Sequence, residues 1–166
     1  MLPEPLHPAI VHFPIVLAVL APLCAIAVFA AIRAGWLPQR SWVAVIVLQV
    51  AVTLSAWVAV ETGEHEEDRV ERVVAERHIE AHEENAERFL VISGLVIPLA
   101  IAGGWLAGTL GTATRVATIV MSLAALAAAG ATGHTGGELV YTHGAAAAYV
   151  QPDADGPGPA GDHDDD

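Results

Sequence analysis

Residues 9–32, AIVHFPIVLAVLAPLCAIAVFAAI, decide the fold class, because these 24 residues contain no Asp, Glu, Lys or Arg. At about 1.5 Å per residue, a helix of this length crosses a hydrocarbon core of about 30 Å. Residues 42–60 and 89–110 form uncharged segments of 19 and 22 residues, and residues 116–133 form a fourth of 18 that is richer in Ala and Gly. We therefore predict an all-α protein, a four-transmembrane-helix bundle with helices at about these positions.

The composition agrees with a membrane protein and excludes several other classes. Hydrophobic residues make up 54% of the chain and the mean hydropathy is +0.52, which is too apolar for a soluble domain of this size. The first segment does not resemble a cleaved signal peptide, because it is too long and Glu4 is the only charged residue before it. Cys24 is the only cysteine, so neither an intrachain disulfide nor a cysteine-based metal site can form.

The polar residues divide into a connector and a tail. Residues 61–88 are predicted to form a charged helical connector between the second and third helices, so that residues 1–150 make one membrane domain. Residues 151–166 are rich in Pro, Gly and Asp and are predicted to be a disordered acidic tail.

The second helix carries three polar residues that are predicted to form hydrogen bonds to other helices, because polar groups in lipid need protein partners: Gln49, Thr53 and Ser55. It is predicted to end at Gly63, since glycine commonly terminates helices.

Four spans place both termini and the connector on one side of the bilayer, which we call the histidine side. That side holds all 19 acidic residues and all eight His, and its four Arg leave it a formal charge of −15. The opposite side, which we call the arginine side, has only the turns at 33–41 and 111–115. These turns contain no acid and give a formal charge of +3 from Arg33, Arg40 and Arg115.

The orientation follows from the positive-inside rule, which counts basic residues in short loops. The count alone is equivocal, at three Arg against four, but the four on the histidine side have acidic neighbours at helical spacing, such as Asp68 with Arg72. We therefore predict a multi-pass protein of the cytoplasmic membrane with both termini outside.

The chain opens with an unusual pair of histidines in HPAIVHFP, residues 7–14. His7 can cap the first helix, with Pro8 at the first helical position, where its missing N–H costs nothing. Pro14 deletes one backbone hydrogen bond and is expected to bend the helix near His12. We predict that the bend turns His12 toward the bundle, because an unpaired polar group in lipid is costly.

Two further stretches concentrate histidine. In HIEAH, His78 and His82 lie one helical turn apart and so share a face, but Ile79 replaces the glutamate of the zinc-protease motif HExxH. The stretch GHTGGELVYTHG, residues 133–144, directly follows the fourth predicted helix. Its glycines allow positive φ angles and a close approach of the backbone to another group.

The two motifs together, HPxxVHFP and GHxGGxLVYxHG in a four-span chain, resemble the bacterial membrane-protein family known as domain of unknown function 2231. The resemblance covers residues 6 to about 148. It implies that family positions are His7, Pro8, His12, Phe13 and Pro14 at the start, His82 in the connector, and Gly133, His134, Gly136, Gly137, Leu139, Val140, Tyr141, His143 and Gly144 at the end. Some relatives carry Rieske iron–sulfur or cytochrome c domains, so the resemblance implies a possible electron-transfer partner of either kind.

The first functional hypothesis is a b-type haem or another redox centre for electron transfer. Imidazoles on facing helices are the usual axial ligands of such a haem, and without CxxCH the attachment is noncovalent. The candidate cofactor-binding residues are His7, His12, His82, His134, His143, Gly136, Gly137 and Tyr141.

The second hypothesis is a divalent transition-metal ion in a binding or sensing protein, because imidazole and carboxylate suit such ions. The candidate metal ligands are His12, His78, His82, His134, Glu138 and His143. Transport is the weaker form of this hypothesis, because the helix interiors offer no ionisable path.

A third, cofactor-free hypothesis treats the histidines as hydrogen-bonding groups of a structural membrane domain. The sequence contains no recognisable nucleophile–base pair or phosphate-binding loop, so we do not expect a stand-alone enzyme. The expected partner is the lipid bilayer and no nucleic acid is expected.

Overall fold

The computed structural model describes residues 6–150, and the predicted disordered tail lies outside this range. The α-helices of the described residues are α1 (His7–Ile10), α2 (His12–Arg33), α3 (Val43–Val70), α4 (Glu76–Trp105) and α5 (Gly108–Tyr141). Short 3-10 helices, Gln39–Trp42 and Ala145–Tyr149, precede α3 and follow α5.

Four helical segments are long and apolar enough to cross a bilayer: His7–Arg33, Gln39–Val70, Glu76–Trp105 and Gly108–Tyr141. The prediction of an all-α protein with four spans is confirmed.

The first span is interrupted at Val11, between α1 and α2. Pro14 has no N–H to donate to the carbonyl four residues earlier, and the next backbone bond, from Ile15 N to Val11 O, is long at 3.4 Å. The expected distortion near His12 is therefore present. The predicted cap is displaced by one residue, since Leu6 is the cap and His7 is the first helical residue.

The helices extend well beyond the apolar segments that predicted them. α3 continues through Gly63 to Val70, and α4 begins at Glu76, so the connector is reduced to residues 71–75 and most of the charged stretch prolongs two transmembrane helices. Gly63 is therefore not a helix end. Hydropathy marks only the part of a helix that lies in lipid, and charged residues such as Glu and Arg continue a helix readily into water.

The glycine-rich stretch after the fourth apolar segment is also helical, because α5 runs to Tyr141. Among the described residues, positive φ angles occur only at Gly35, Gly108 and Gly144. The expectation that the glycines before residue 144 supply positive φ angles is therefore wrong. The third predicted helix ends earlier than expected, at Trp105, and Gly108 with its φ of 63° opens the turn into α5.

The four long helices form a ring in which α2 and α4 each pack against both α3 and α5. The pairs α2/α4 and α3/α5 therefore lie diagonally across the bundle. The core between them is built mainly from small residues, including Ala18, Ala21, Ala56, Ala125 and Ala129, which lets the helices approach closely. Many large apolar side chains are exposed on the outer surface, as expected of residues that face lipid.

The bundle is an internal repeat of two helical hairpins. The first hairpin is residues 7–70 and the second is residues 76–141. The buried positions of α2 recur in α4 after 75 residues, and those of Trp42 and α3 recur in α5 after 73 residues. These pairs are Pro14/Phe89, Ala18/Ser93, Ala21/Val96, Ala25/Ala100, Trp42/Arg115, Val45/Thr118, Gln49/Ser122, Val52/Ala125 and Ala56/Ala129.

Two of these equivalent pairs touch each other. Gln49 Nε2 donates to Ser122 Oγ at 3.1 Å, and the Arg115 guanidinium carbon lies 5.6 Å from the centre of the Trp42 ring. Residues related by a two-fold rotation contact each other only near the rotation axis. The hairpins are thus arranged about an approximate two-fold axis along the bundle, as in membrane proteins built from parallel repeats.

Of the three polar residues predicted to link helices, only Gln49 does so. Thr53 donates to the carbonyl of Gln49 and Ser55 to that of Val52, both within α3. The prediction for Thr53 and Ser55 is therefore wrong, because a hydroxyl in a helix can reach the carbonyl three or four residues back without any neighbour.

Gly111 provides a test of the turn between α4 and α5. A Cβ at this buried position would lie 2.2 Å from the Leu106 carbonyl oxygen, so we expect Gly111→Ala to destabilise the protein by about 2 kcal/mol or more. The measurement is the free energy of unfolding in mixed detergent micelles. Gly130→Ala, also in α5, is the control, because nothing lies within 4 Å of its added Cβ. Equal effects of the two substitutions would contradict the described turn.

Candidate functional site

His7 is held against α3 by three neighbours. Its Nδ1 lies 2.8 Å from the Ala59 carbonyl oxygen and 3.3 Å from Thr62 Oγ1. The ring also covers Gly63, where a Cβ would approach His7 Cε1 to 3.2 Å. Gly63 therefore provides room for the imidazole instead of terminating the helix.

His82 occupies the equivalent place in the second hairpin. Its Nδ1 lies 3.1 Å from Thr135 Oγ1, and a Cβ at Gly136 would approach His82 Cε1 to 3.0 Å. His82 follows His7 by 75 residues, and the Thr-Gly pair at 135–136 follows Thr62-Gly63 by 73, the offsets of the repeat.

These contacts fix which nitrogen of each ring carries the proton. A carbonyl oxygen only accepts, so His7 Nδ1 donates to Ala59. Thr135 Oγ1 lies within 3.1 Å of the Thr132 carbonyl and donates its own hydrogen there, so it accepts from His82 Nδ1. Each imidazole therefore keeps the Nε2 lone pair free, which is the form that ligates metals.

The two imidazoles face each other across the bundle. Their ring centres are 6.3 Å apart, the planes are nearly perpendicular at 83°, and both side chains are half-buried. His7 and His82 are the third pair of equivalent residues in contact, so they mark the axis at the histidine side of the bundle.

A second pair of imidazoles lies beside the first. His78 stacks on His143 with ring centres 3.7 Å apart and planes 19° from parallel. Since His78 precedes His82 by one helical turn on α4, four histidines from the N-terminal end, α4 and the segment after α5 gather at one end of the bundle. We call His7, His78, His82 and His143 the histidine cluster.

Other predicted site residues lie outside this cluster. His12 is exposed, so the prediction that it faces the bundle is wrong. The His134 and Glu138 side chains are 75% and 49% exposed and lie 3.5 Å apart, and Tyr141 is 91% exposed. Gly137 has open space where its Cβ would be.

The continuation of α5 as a helix explains this result. Residues 134, 138 and 141 share its outer face, whereas Thr135 and Gly136 are on the face toward α4. Within residues 6–150, no group of three or more His, Cys, Asp or Glu side chains is placed to hold a metal ion. The histidines meet in pairs.

Sequence reasoning missed Glu66, which joins three segments of the site. Its Oε1 accepts from the backbone N–H groups of Leu6, at 2.7 Å, and His7, at 3.1 Å. Its Oε2 accepts from the Tyr149 hydroxyl at 2.6 Å. Glu66 thus caps the start of α1 from α3 and fixes the backbone that carries the His7 ring.

Tyr149 completes this arrangement from the chain that follows α5. The Arg69 guanidinium carbon lies 5.5 Å from the centre of its ring. Burial, together with the hydrogen bond to the Glu66 carboxylate, raises the pKa of Tyr149 above its usual value near 10. The phenol therefore stays a hydrogen-bond donor under ordinary conditions.

Fold and site define a four-span α-helical membrane protein with a histidine cluster at one end of the bundle. The family described as "Predicted membrane protein (DUF2231)" matches residues 3–148. The chain belongs to this family, which confirms the resemblance predicted from the sequence. No match was found among curated proteins or among solved structures.

The two tyrosines of the chain give a matched test of the Glu66 contact. Tyr149→Phe removes a hydrogen bond to a carboxylate and should lower the free energy of unfolding at pH 8 by about 1.5 kcal/mol. Because the folded-state pKa of Tyr149 is raised, its contribution is complete below pH 10 and is lost as the pH rises further.

We therefore expect the stability of the unsubstituted protein to fall more steeply above pH 10 than that of Tyr149→Phe. Tyr141→Phe, at the exposed position, should retain the steep profile of the unsubstituted protein. The measurement is detergent unfolding followed by circular dichroism between pH 8 and pH 11. Parallel profiles for all three proteins would contradict the contact.

Proposed function

We propose that this membrane protein binds a redox centre, haem b, between His7 and His82 and transfers electrons through it. The observation that carries the proposal is the paired arrangement of these two imidazoles, at 6.3 Å, with each Nδ1 engaged. Two imidazoles that share one ion have ring centres about 6 Å apart when the metal–nitrogen bonds are about 2.0 Å.

The surroundings of the two rings suit axial ligands. A ligand histidine usually donates its other N–H to a carbonyl or similar acceptor, which orients the ring and raises its basicity. The Ala59 carbonyl and the Thr135 hydroxyl supply these acceptors. The chain would thus orient both ligands, while bound haem would supply reversible one-electron chemistry.

The pairing of histidines also favours haem over a bare metal ion. A porphyrin provides four ligands itself, so two imidazoles complete six-coordinate iron, whereas structural zinc sites usually need four protein ligands. The described residues bring imidazoles together in pairs. A divalent ion bound by the histidine cluster remains the alternative, with water or a further carboxylate as the missing ligands.

The electron partner would approach from the histidine side. The cluster is at the end of the bundle nearest that solvent, and a Rieske or cytochrome c domain is the kind of partner proposed. The acidic residues around the cluster would attract a partner with a basic surface.

The test is the visible spectrum of the detergent-purified protein supplied with haem during expression. We expect Soret and α bands that change on reduction, and we expect His7→Ala and His82→Ala each to abolish them. His12→Ala and His134→Ala are matched controls at exposed positions and should keep the bands. Added imidazole should restore the bands to His82→Ala, which separates loss of a ligand from loss of folding.

Other spectra decide against haem. Bands that survive both His7→Ala and His82→Ala would refute the assignment of ligands. A colourless protein that contains stoichiometric metal by elemental analysis would establish the divalent-ion alternative, and a colourless, metal-free protein would favour a structural role.

We also propose that the histidine side faces outward from the cytoplasmic membrane, because short turns rich in Arg are retained in the cytoplasm. A tag at the C-terminus should then be cleaved when protease is added to cells with an intact cytoplasmic membrane. Protection of the tag, with cleavage only after lysis, would invert the topology.

A further inference from the structure

The arginine side of the bundle contains a cleft of about 610 Å³ between the end of α2 and the start of α5. Its polar lining consists of Arg33, Gln39, Thr109, Thr112 and Arg115. It lies at the opposite end of the bundle from the histidine cluster and is independent of the proposed haem.

Arg115 is a buried cation without a counter-charge. Its side chain is only 6% exposed, its Nε donates to the Gly103 carbonyl at 2.8 Å, and its Nη2 has no hydrogen-bond partner. The turns at 33–41 and 106–115 contain no Asp or Glu. Since a buried guanidinium with unused N–H groups is costly, this side chain indicates a negatively charged ligand.

The start of α5 adds a second feature that favours an anion. The cap residue Ala107 makes no side-chain hydrogen bond, and the first turn contains no acidic residue. The first N–H groups of this long helix therefore keep their partial positive charge at the wall of the cleft. Gln39 Nε2 donates to the Leu106 carbonyl at 3.2 Å, which occupies a carbonyl that would repel an anion.

The position of the cleft identifies the source of the anion. Trp36 and Trp105, at the ends of neighbouring spans, are 82% and 78% exposed, as is typical of tryptophans at the membrane–water interface. Ile32 and Leu106 supply an apolar part of the lining. A ligand with a charged head and an apolar body fits this combination.

We propose that the cleft binds the phosphate group of a membrane phospholipid, with Arg115, Arg33 and the N-terminus of α5 as its cationic partners. Arginine pairs with phosphate through parallel hydrogen bonds, and phosphate groups bind well at helix N-termini. Arg115 holds the phosphate from the buried side and Arg33 from the exposed rim of the cleft.

The test measures binding of short-chain phosphatidylglycerol to the purified full-length protein by native mass spectrometry. We expect saturable binding of one lipid, weakened about fivefold by Arg33→Gln, since an ion pair at an exposed rim contributes up to about 1 kcal/mol. Arg40→Gln is the matched control, because Arg40 is also exposed on this side but is not part of the cleft. It should leave the affinity unchanged.

Two further ligands separate the possible outcomes. Diacylglycerol with the same acyl chains lacks the phosphate and should bind much more weakly, so equal binding of the two lipids would overturn the proposal. Equal effects of Arg33→Gln and Arg40→Gln would also overturn it. Displacement of the lipid by millimolar inorganic phosphate would assign the cleft to free phosphate and overturn its assignment to lipid.

Discussion

The structure depends on one constraint of the bilayer, which is that polar groups inside it must find partners within the protein. Here the two hairpins satisfy the constraint where they meet. Gln49 bonds to its counterpart Ser122 in the middle of the bundle, and Arg115 packs over its counterpart Trp42 at the arginine side. His7 meets its counterpart at the histidine side. The polar contacts thus follow the approximate two-fold axis, while the alanine-rich surfaces around them allow the helices to come close enough to make these contacts.

The number of spans and the fold class were predictable from the sequence, because each apolar segment is long enough to cross the bilayer. The ends of the helices were not, since hydropathy detects lipid thickness and not the charged turns that prolong α3 and α4 into water. That extension decides the site. With α5 continuous past residue 133, the face that carries His134 turns outward and the face that carries Gly136 turns toward α4.

The histidines were recognised as unusual, but their grouping required the three-dimensional arrangement. His7, His78, His82 and His143 come together, whereas His12 follows a helix interruption whose direction could not be read from Pro14 alone. Glu66 was missed because it is one of many acids in a charged stretch. A usable signal was nevertheless present, because a Thr-Gly dipeptide occurs at residues 62–63 and again 73 residues later.

A comparison of the two hairpins shows where they have remained alike. At the histidine side the equivalent residues are identical: His82 repeats His7, and Thr135-Gly136 repeats Thr62-Gly63. At the arginine side the equivalents differ, since Arg115 stands opposite Trp42. A ligand on a two-fold axis meets the same groups from both hairpins, which an iron with two axial imidazoles requires. A lipid phosphate beside the axis has no such symmetry. The identity at one end and the divergence at the other therefore agree with a symmetric centre between the histidines and an asymmetric ligand beside Arg115.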